Sequence, residues 1–203
     1  MFVGGSDTTS TTLEWVMAEL IRNPSIMKRA QEEVRRVVGN KSKIDVNDIN
    51  HMDYLKCILK ESLRLHPPIP LSVPRETLES LKFGGYDIPQ KTRVFVNVWA
   101  IQRDPKLWNR PKEFIPERFT NNLVDFIGQN FEFIPFGGGR RGCPGLTFGI
   151  AVVEYVLANL ICWFDWRLPI VNAQGEDLDM TEVNAITAFW KNPLYLVPIL
   201  HSS

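Results

Sequence analysis

A single cysteine stands between a glycine-rich segment and a long apolar run, and this arrangement constrains the chain more than any other feature. Residues 136–145 read Phe-Gly-Gly-Gly-Arg-Arg-Gly-Cys-Pro-Gly. Glycine lets the backbone approach a ligand closely, and the start of a helix favours a thiolate because it offers free N–H groups and a partial positive charge. The segment therefore predicts a loop that presents Cys143 as a thiolate, with Pro144 as the first residue of a helix. A thiolate held in this way can serve as an axial ligand of haem iron.

Three other interpretations of this segment are weaker. A phosphate-binding loop needs lysine and then serine or threonine after its last glycine, whereas Gly142 is followed by cysteine and proline. A zinc site needs paired cysteines or histidines, and Cys57 and Cys162 lie far along the sequence from Cys143. A plain turn with a buried structural cysteine is the remaining alternative.

Composition narrows the class of protein. The chain has 203 residues, of which 44% are hydrophobic, so it can bury a sizeable core. Its formal net charge is zero, and nothing suggests nucleic acid or an anionic surface as a partner. Three cysteines do not make a disulfide framework, which fits a reducing compartment. The first residues lack the basic start of a signal peptide.

The first part of the chain has the periodicity of helices. One apolar stripe predicts a helix over residues 8–22; it consists of Leu13, Val16, Met17, Leu20 and Ile21. Asn23 and Pro24 suit the N-cap and first residue of a second helix, which runs to about residue 38 and stops at Gly39.

The remaining segments predict further helix and a little sheet. A third helix covers about residues 54–65 and ends before two prolines. Gly84 and Gly85 indicate a turn, and alternation predicts a strand over 92–98. Residues 103–142 are rich in proline, glycine and aromatics and are expected to be irregular, whereas 187–200 could hold a short strand pair.

The apolar run 146–164 approaches the length of a membrane span. Glu154 and Asn159 interrupt it, and it follows a ligand loop rather than basic flanks. A helix buried on all sides has the same composition. We therefore expect a buried helix here.

The cysteine segment also resembles a family signature. The pattern Phe-x-x-Gly-x-Arg-x-Cys-x-Gly is met by Phe136, Gly139, Arg141, Cys143 and Gly145. It resembles the cysteine-ligand loop of the cytochrome P450 family of haem-thiolate monooxygenases. The resemblance implies that Cys143 is the axial ligand of haem b (iron protoporphyrin IX), with Gly137 and the other residues of the pattern around the cofactor.

The first helix carries a second resemblance. Residues 4–9 read Gly-Gly-Ser-Asp-Thr-Thr, and taken alone they favour a helix N-terminal cap. The segment is similar to the family's oxygen-activation segment, which passes over the haem. By that resemblance Thr8 would hold dioxygen, and Asp7 would help to deliver protons for O–O cleavage.

The third helix carries a Glu-x-x-Arg motif. Glu61 and Arg64 are three residues apart and can pair on one side of a helix, which alone suggests a solvated surface ion pair. The segment resembles the Glu-x-x-Arg helix of the family, and Pro-Glu-Arg-Phe at 116–119 resembles its partner. The resemblance implies a buried triad of Glu61, Arg64 and Arg118 that holds the cysteine loop and does no chemistry.

Other site residues follow from their places in the same pattern. Arg75 and Arg141 would pair with haem propionates, because arginine binds carboxylates through charge-assisted hydrogen bonds. The alternative for Arg75 is an ordinary exposed arginine. The residues expected to face the substrate are Ile69, Leu71, Val73, Ile186 and Thr187.

These motifs occur in the family's order along the whole chain. The implied fold is mainly α with a minor β-sheet, with residues 1–203 forming the C-terminal portion of a single cytochrome P450 domain. The segment Tyr-Asp-Ile-Pro at 86–89 and the form of the cysteine loop are similar to the plant microsomal type. Relatives commonly have glycine near Ala185 and basic residues near Phe189 and Trp190, so this chain departs from them beside the expected substrate.

The resemblance implies a monooxygenase that inserts one oxygen atom of O2 into a small apolar substrate, in secondary metabolism. Electrons would come from an NADPH-dependent flavoprotein reductase. The whole protein would lie on the cytosolic face of the endoplasmic reticulum membrane, held by an N-terminal anchor absent from these residues. The alternatives are an O2-independent isomerase or dehydratase of the same fold and a non-catalytic truncated chain. We expect the 203 residues alone to be inactive.

Overall fold

The computed structural model describes residues 2–169 and 175–201. Within them the helices are α1 (Phe2–Arg22), α2 (Pro24–Val38), α3 (Val46–Ile49), α4 (Asp53–Leu65), α5 (Val98–Ile101) and α6 (Leu146–Trp163). The strands form antiparallel pairs: β1 (Arg75–Glu76) with β4 (Arg93–Val94), β2 (Leu81–Phe83) with β3 (Tyr86–Ile88), β5 (Phe164–Arg167) with β8 (Val197–Leu200), and β6 (Glu182–Asn184) with β7 (Ala188–Trp190). This is the predicted architecture of mainly helix with minor sheet.

The core lies where α1, α2, α4 and α6 pack together. Each helix contributes side chains with no exposed surface, such as Leu20 of α1, Val34 of α2, Ile58 of α4 and Leu157 of α6. Full burial of one such side chain stabilises the fold by about 1.5–3 kcal/mol. The long irregular stretch between α5 and α6 adds aromatic side chains such as Phe133 to the same core.

The ends of α2 follow the sequence prediction closely. Pro24 is the first residue of the helix, and Gly39 ends it with a φ of +58° while its N–H donates to the Arg35 carbonyl at 2.8 Å. Asn23 occupies the N-cap position but does not cap with its side chain. Its Nδ2 group instead donates to the carbonyl of Glu19, at 2.8 Å.

The start of α4 is capped from another helix. Met52 precedes the helix and has no capping oxygen. Glu33 of α2 supplies it, because its two carboxylate oxygens accept hydrogen bonds from the N–H groups of Tyr54 and Leu55, each at 2.9 Å. This contact fixes α4, which carries the Glu-x-x-Arg motif, against α2.

Two strand predictions are wrong. The strand expected over 92–98 is only Arg93–Val94, because Asn97 caps α5 by accepting a hydrogen bond from the N–H of Ala100 at 2.9 Å. The strand pair expected within 187–200 does not form, since β7 pairs with β6 and β8 pairs with β5.

The last long helix is not buried on all sides, contrary to the prediction. One face of α6 packs on α1, α2 and α4, but Phe148 is 76% exposed and Tyr155 is 43% exposed. By length and composition Leu146–Trp163 could cross a membrane, and 33% of it is buried within this chain. The helix ends at Trp163, and Phe164 begins β5.

Candidate active site

The loop that carries Cys143 folds on itself through backbone contacts. Gly137 and Gly139 have φ values of +70° and +65°, a region that side chains disfavour. The N–H of Cys143 donates to the carbonyl of Phe136 at 2.9 Å, which closes the loop. The Cys143 residue is exposed. The loop therefore presents a thiol to whatever covers this surface.

The helix after the loop begins later than predicted. Gly145 is the N-cap and α6 starts at Leu146, so Pro144 precedes the helix instead of opening it. The N–H of Gly149 donates to the Gly145 carbonyl at 2.8 Å and makes the first turn. Cys143 thus lies two residues before the N-cap.

The structure brings Arg75 to the cysteine loop. Arg75 lies in β1, and its Nη2 donates to the backbone carbonyl of Arg141 at 3.0 Å. The Arg75 residue is partly buried, whereas Arg141 is exposed at the end of a 3-10 turn. Two guanidinium groups are therefore available near the loop to bind carboxylates.

The segment with Asp7 and Thr8 lies inside α1, not at its start. The helix begins at Phe2, so the capping alternative and the predicted start at residue 8 are both wrong. The Thr8 hydroxyl donates to the carbonyl of Gly4 at 2.6 Å, within the same helix. A side chain placed at Gly4 or Gly5 would meet nothing within 4 Å, so open space adjoins this part of the helix.

Glu61, Arg64 and Arg118 meet in one cluster. Arg64 donates from Nε and Nη2 to the two Glu61 oxygens at 2.7 and 2.8 Å, and Arg118 Nε donates to Glu61 at 3.0 Å. Glu61 and Arg64 have no exposed surface. The surface ion pair that the local sequence favours is therefore wrong, because residues distant in sequence cover this pair.

Backbone groups complete this cluster. Arg64 Nη1 donates to the carbonyls of Gln102 and Pro111, both at 2.8 Å. The N–H of Ile115 donates to Glu61 at 2.8 Å. A buried ion pair is stable only when its remaining hydrogen-bonding groups are satisfied, and here carbonyls and an amide supply the partners.

Sequence reasoning missed Gln102, which links this cluster to the cysteine loop. Its side chain is fully buried and donates to the carbonyls of Leu63 and Arg64 at 2.9 and 3.0 Å. Its Oε1 accepts from the N–H of Ile134 at 3.1 Å, two residues before the loop begins at Phe136. A lone glutamine at the end of a four-residue helix gives no periodic signal that could have revealed this role.

The segments expected to border the substrate lie side by side. The N–H of Ala188 donates to the carbonyl of Pro68 at 2.9 Å, which joins the stretch after α4 to the β6–β7 hairpin. Among the five expected residues, Leu71, Val73 and Ile186 are exposed, Ile69 is partly buried, and Thr187 is buried with 8% of its surface exposed.

The family model for cytochrome P450 matches residues 1–188. The chain belongs to the cytochrome P450 family. The described residues hold no group of three or more histidine, cysteine, aspartate or glutamate side chains that could bind a metal.

Individual relatives agree with this assignment. The chain is 58% identical over its full length to a phenylacetaldehyde oxime monooxygenase from Prunus mume, of which it covers 39%. It is 59% identical to cytochrome P450 71A1 from Persea americana and covers 40% of that protein. Among solved structures, a zebra fish cytochrome P450 with abiraterone superposes with a TM-score of 0.87 at 29% identity, over 99% of this chain and 47% of that one. The chain spans about two fifths of the length of these curated relatives and corresponds to their C-terminal part.

Membership of the cytochrome P450 family implies a haem cofactor, and the residues present fit one. The exposed Cys143 offers a single sulfur ligand, and Arg75 and Arg141 offer positive charge nearby. A side chain at Gly137 or Gly139 would meet nothing within 4 Å, so a flat ligand has room to approach the loop backbone.

Proposed function

We propose that this chain carries the thiolate-ligand part of a monooxygenase that inserts one oxygen atom of O2 into a small apolar substrate. The observation that carries the proposal is the exposed Cys143 in a glycine loop closed by its own backbone. The relatives support the reaction class, since they include a phenylacetaldehyde oxime monooxygenase and a premnaspirodiene oxygenase from Hyoscyamus muticus. Residues 1–203 then form the C-terminal portion of a single catalytic domain.

Residues of this chain would hold the cofactor from the side of the cysteine loop. Haem b bound here would supply the oxidation chemistry, which side chains alone cannot perform. Cys143 would bind the iron as a thiolate and donate electron density to it. Arg75 and Arg141 would hold the two propionates, while Phe136, Gly137, Gly139 and Gly145 shape the surface against the ring.

Thr8 and Asp7 would hold and transfer protons during the reaction. The Thr8 hydroxyl now donates to the Gly4 carbonyl, and rotation about its Cα–Cβ bond would free it to donate to dioxygen. Asp7 is partly buried one residue earlier in α1, from where its carboxyl group could pass protons from solvent. A group placed in this way contributes about 10²–10⁴-fold to a reaction that needs proton transfer.

The remaining parts of the proposal concern the whole protein. A flavoprotein reductase would deliver electrons from NADPH, and the protein would lie on the cytosolic face of the endoplasmic reticulum membrane. The similarity to plant monooxygenases supports both statements. The substrate would pass between residues 69–73 and 186–187, where apolar side chains are exposed.

Isotope labelling tests the reaction class. The full-length protein is combined with a plant NADPH-dependent reductase, NADPH and ¹⁸O₂, with phenylacetaldehyde oxime and premnaspirodiene as separate probes. We expect one atom of each ¹⁸O₂ molecule in the organic product and the other in water, with one NADPH consumed per product molecule. Conversion of a probe without NADPH and without O2 would contradict the proposal and favour the isomerase or dehydratase alternative.

A further inference from the structure

A buried histidine at the end of α4 lies between two carboxylates. His66 Nε2 is 2.8 Å from Glu19 Oε1, and His66 Nδ1 is 3.1 Å from Glu182 Oε1. The imidazole stacks on the indole of Trp15, with ring centroids 4.0 Å apart and planes 2° from parallel. Only 8% of the His66 surface is exposed, so solvent has little access to these contacts.

The geometry favours a doubly protonated imidazole. A carboxylate oxygen only accepts hydrogen bonds, and a neutral imidazole has one N–H donor, so one ring nitrogen would face an acceptor without a proton between them. Arg103 Nη2 lies 3.5 Å from Glu182, and Asn23 Nδ2 donates to Glu19 at 3.2 Å. The cluster thus balances two carboxylates, Glu19 and Glu182, against His66 and Arg103.

The pKa of Glu182 agrees with this charge arrangement. Burial alone would raise the pKa of this carboxyl group. The hydrogen bond from His66, together with the positive charges of His66 and Arg103, outweighs burial and leaves the pKa below its ordinary value. Glu182 therefore stays ionised where His66 needs an anionic partner.

The same cluster joins the two segments expected to border the substrate. Trp15, stacked on His66, donates from Nε1 to the Ala188 carbonyl at 3.1 Å. The N–H of Ala188 in turn donates to Pro68 at 2.9 Å. His66 precedes the segment 69–73 by a short turn, and Glu182 begins the hairpin that contains 186–187. The indole of Trp15 and the imidazole of His66 thus both connect these segments to α1.

We propose that His66 is a positioning residue that, as a cation shared by Glu19 and Glu182, fixes the separation between residues 69–73 and 186–187. It thereby sets the width of the passage to the haem face for bulky ligands. This inference rests on the proposed function, because it takes those segments as the walls of the passage. It assigns His66 no contact with the substrate.

Two azoles of different size test the proposal on the full-length ferric protein. Imidazole is small, whereas 4-phenylimidazole must pass between the two segments; both bind haem iron and shift the Soret band. Their dissociation constants are measured in wild type, His66→Gln, Glu182→Gln and the double variant. His51→Gln is the control, because His51 is exposed and its Nδ1 lies 3.0 Å from the carbonyl of Asn47.

We expect the variants to change the binding of the larger azole more than that of the smaller one. His66→Gln leaves Glu19 and Glu182 against Arg103 alone, so we expect the 4-phenylimidazole constant to change about tenfold while the imidazole constant changes less than about twofold. The double variant restores the charge balance and should recover most of the wild-type ratio. His51→Gln should leave both constants unchanged.

Several results would overturn the proposal. An unchanged ratio of the two constants in His66→Gln, or equal losses for both azoles, would show that His66 does not set the passage. If His66→Gln does not fold, Glu182→Gln decides, and an unchanged ratio there overturns the proposal. A wild-type protein whose spectrum shifts with neither azole would instead overturn the proposed function, and the positioning role with it.

Discussion

The Glu61 cluster and the Cys143 loop are both required by the family pattern, yet their surroundings are opposite. Glu61 and Arg64 are fully buried, and carbonyl and amide groups of this chain satisfy them. Cys143 and Arg141 are exposed, and backbone contacts maintain the loop. The chain therefore completes its charged scaffold internally, while it leaves its chemical group open to a cofactor.

Removing the charge of Glu61 should produce the largest effect on stability. Glu61→Gln in the full-length protein leaves Arg64 and Arg118 buried without their shared anion, and we expect a loss of about 3–5 kcal/mol in the free energy of unfolding. Denaturant unfolding followed by circular dichroism measures it.

Glu32→Gln is the matched control for this experiment. Glu32 lies 4.0 Å from Lys28 on the surface of α2, and the two side chains are 66% and 79% exposed. Exposed pairs contribute little, so the free energy of unfolding should barely change. Equal losses in the two variants would show that burial of the Glu61 cluster has no energetic consequence.

The bounds of α2 were predictable because their signals are local, whereas α1 begins six residues before its predicted start. The bounds of α2 follow from one apolar stripe, Pro24 and Gly39. Burial of Glu61 was not predictable from local sequence, since an i,i+3 pair has the same pattern on a surface. Its burial depends on residues 102–115, which fold over α4 from 38 or more positions away.

The contacts of His66 were likewise not predictable from local sequence. His66 meets carboxylates that lie 47 and 116 residues away in sequence, and no local pattern links them. The cysteine loop, by contrast, was identified from ten consecutive letters, because its glycines, arginine and cysteine act within one short segment. Only its junction with α6 differed, since Gly145 rather than Pro144 adjoins the helix.

The second largest effect is expected when Thr8 is replaced, and it concerns the amount of product formed per NADPH. Thr8→Ala should leave haem binding intact but lower product formed per NADPH by about a hundredfold, with peroxide released instead, because the hydroxyl would no longer direct protons. Thr8→Ser should restore coupling. Ser10→Ala is the control, since Ser10 donates to the Asp7 carbonyl in the same helix. If Thr8→Ala forms as much product per NADPH as wild type, Thr8 has no role in turnover and its hydroxyl serves only to bond the Gly4 carbonyl.

A smaller effect, on the rate of haem release, is expected when Arg75 is replaced. Arg75→Gln should speed haem transfer to an acceptor protein by about tenfold, which is the magnitude of one lost charge-assisted hydrogen bond. Arg93→Gln on the paired strand β4 is the control and should not change the rate. If both variants release haem at the wild-type rate, the propionate assignment of Arg75 is wrong.

The last comparison concerns the reactivity of the three cysteine thiols and needs no mutation. Burial raises the pKa of the Cys57 and Cys162 thiols, so these remain protonated and covered at pH 8. Brief treatment of the haem-depleted protein with iodoacetamide should label Cys143 but not Cys57 or Cys162, as read by peptide mass spectrometry. Bound haem should protect Cys143. Labelling of Cys143 that is as fast with haem as without it would contradict its role as the ligand.

The most direct test of the account is the reduced carbon monoxide difference spectrum of three variants of the full-length protein. Cys143→Ser should lose the thiolate-type Soret shift, because the serine oxygen does not replace a thiolate on iron. Cys57→Ser and Cys162→Ser, whose sulfurs are buried, should retain it. Retention of the shift in Cys143→Ser, or its loss only in one of the buried variants, would contradict the assignment of Cys143 as the axial ligand.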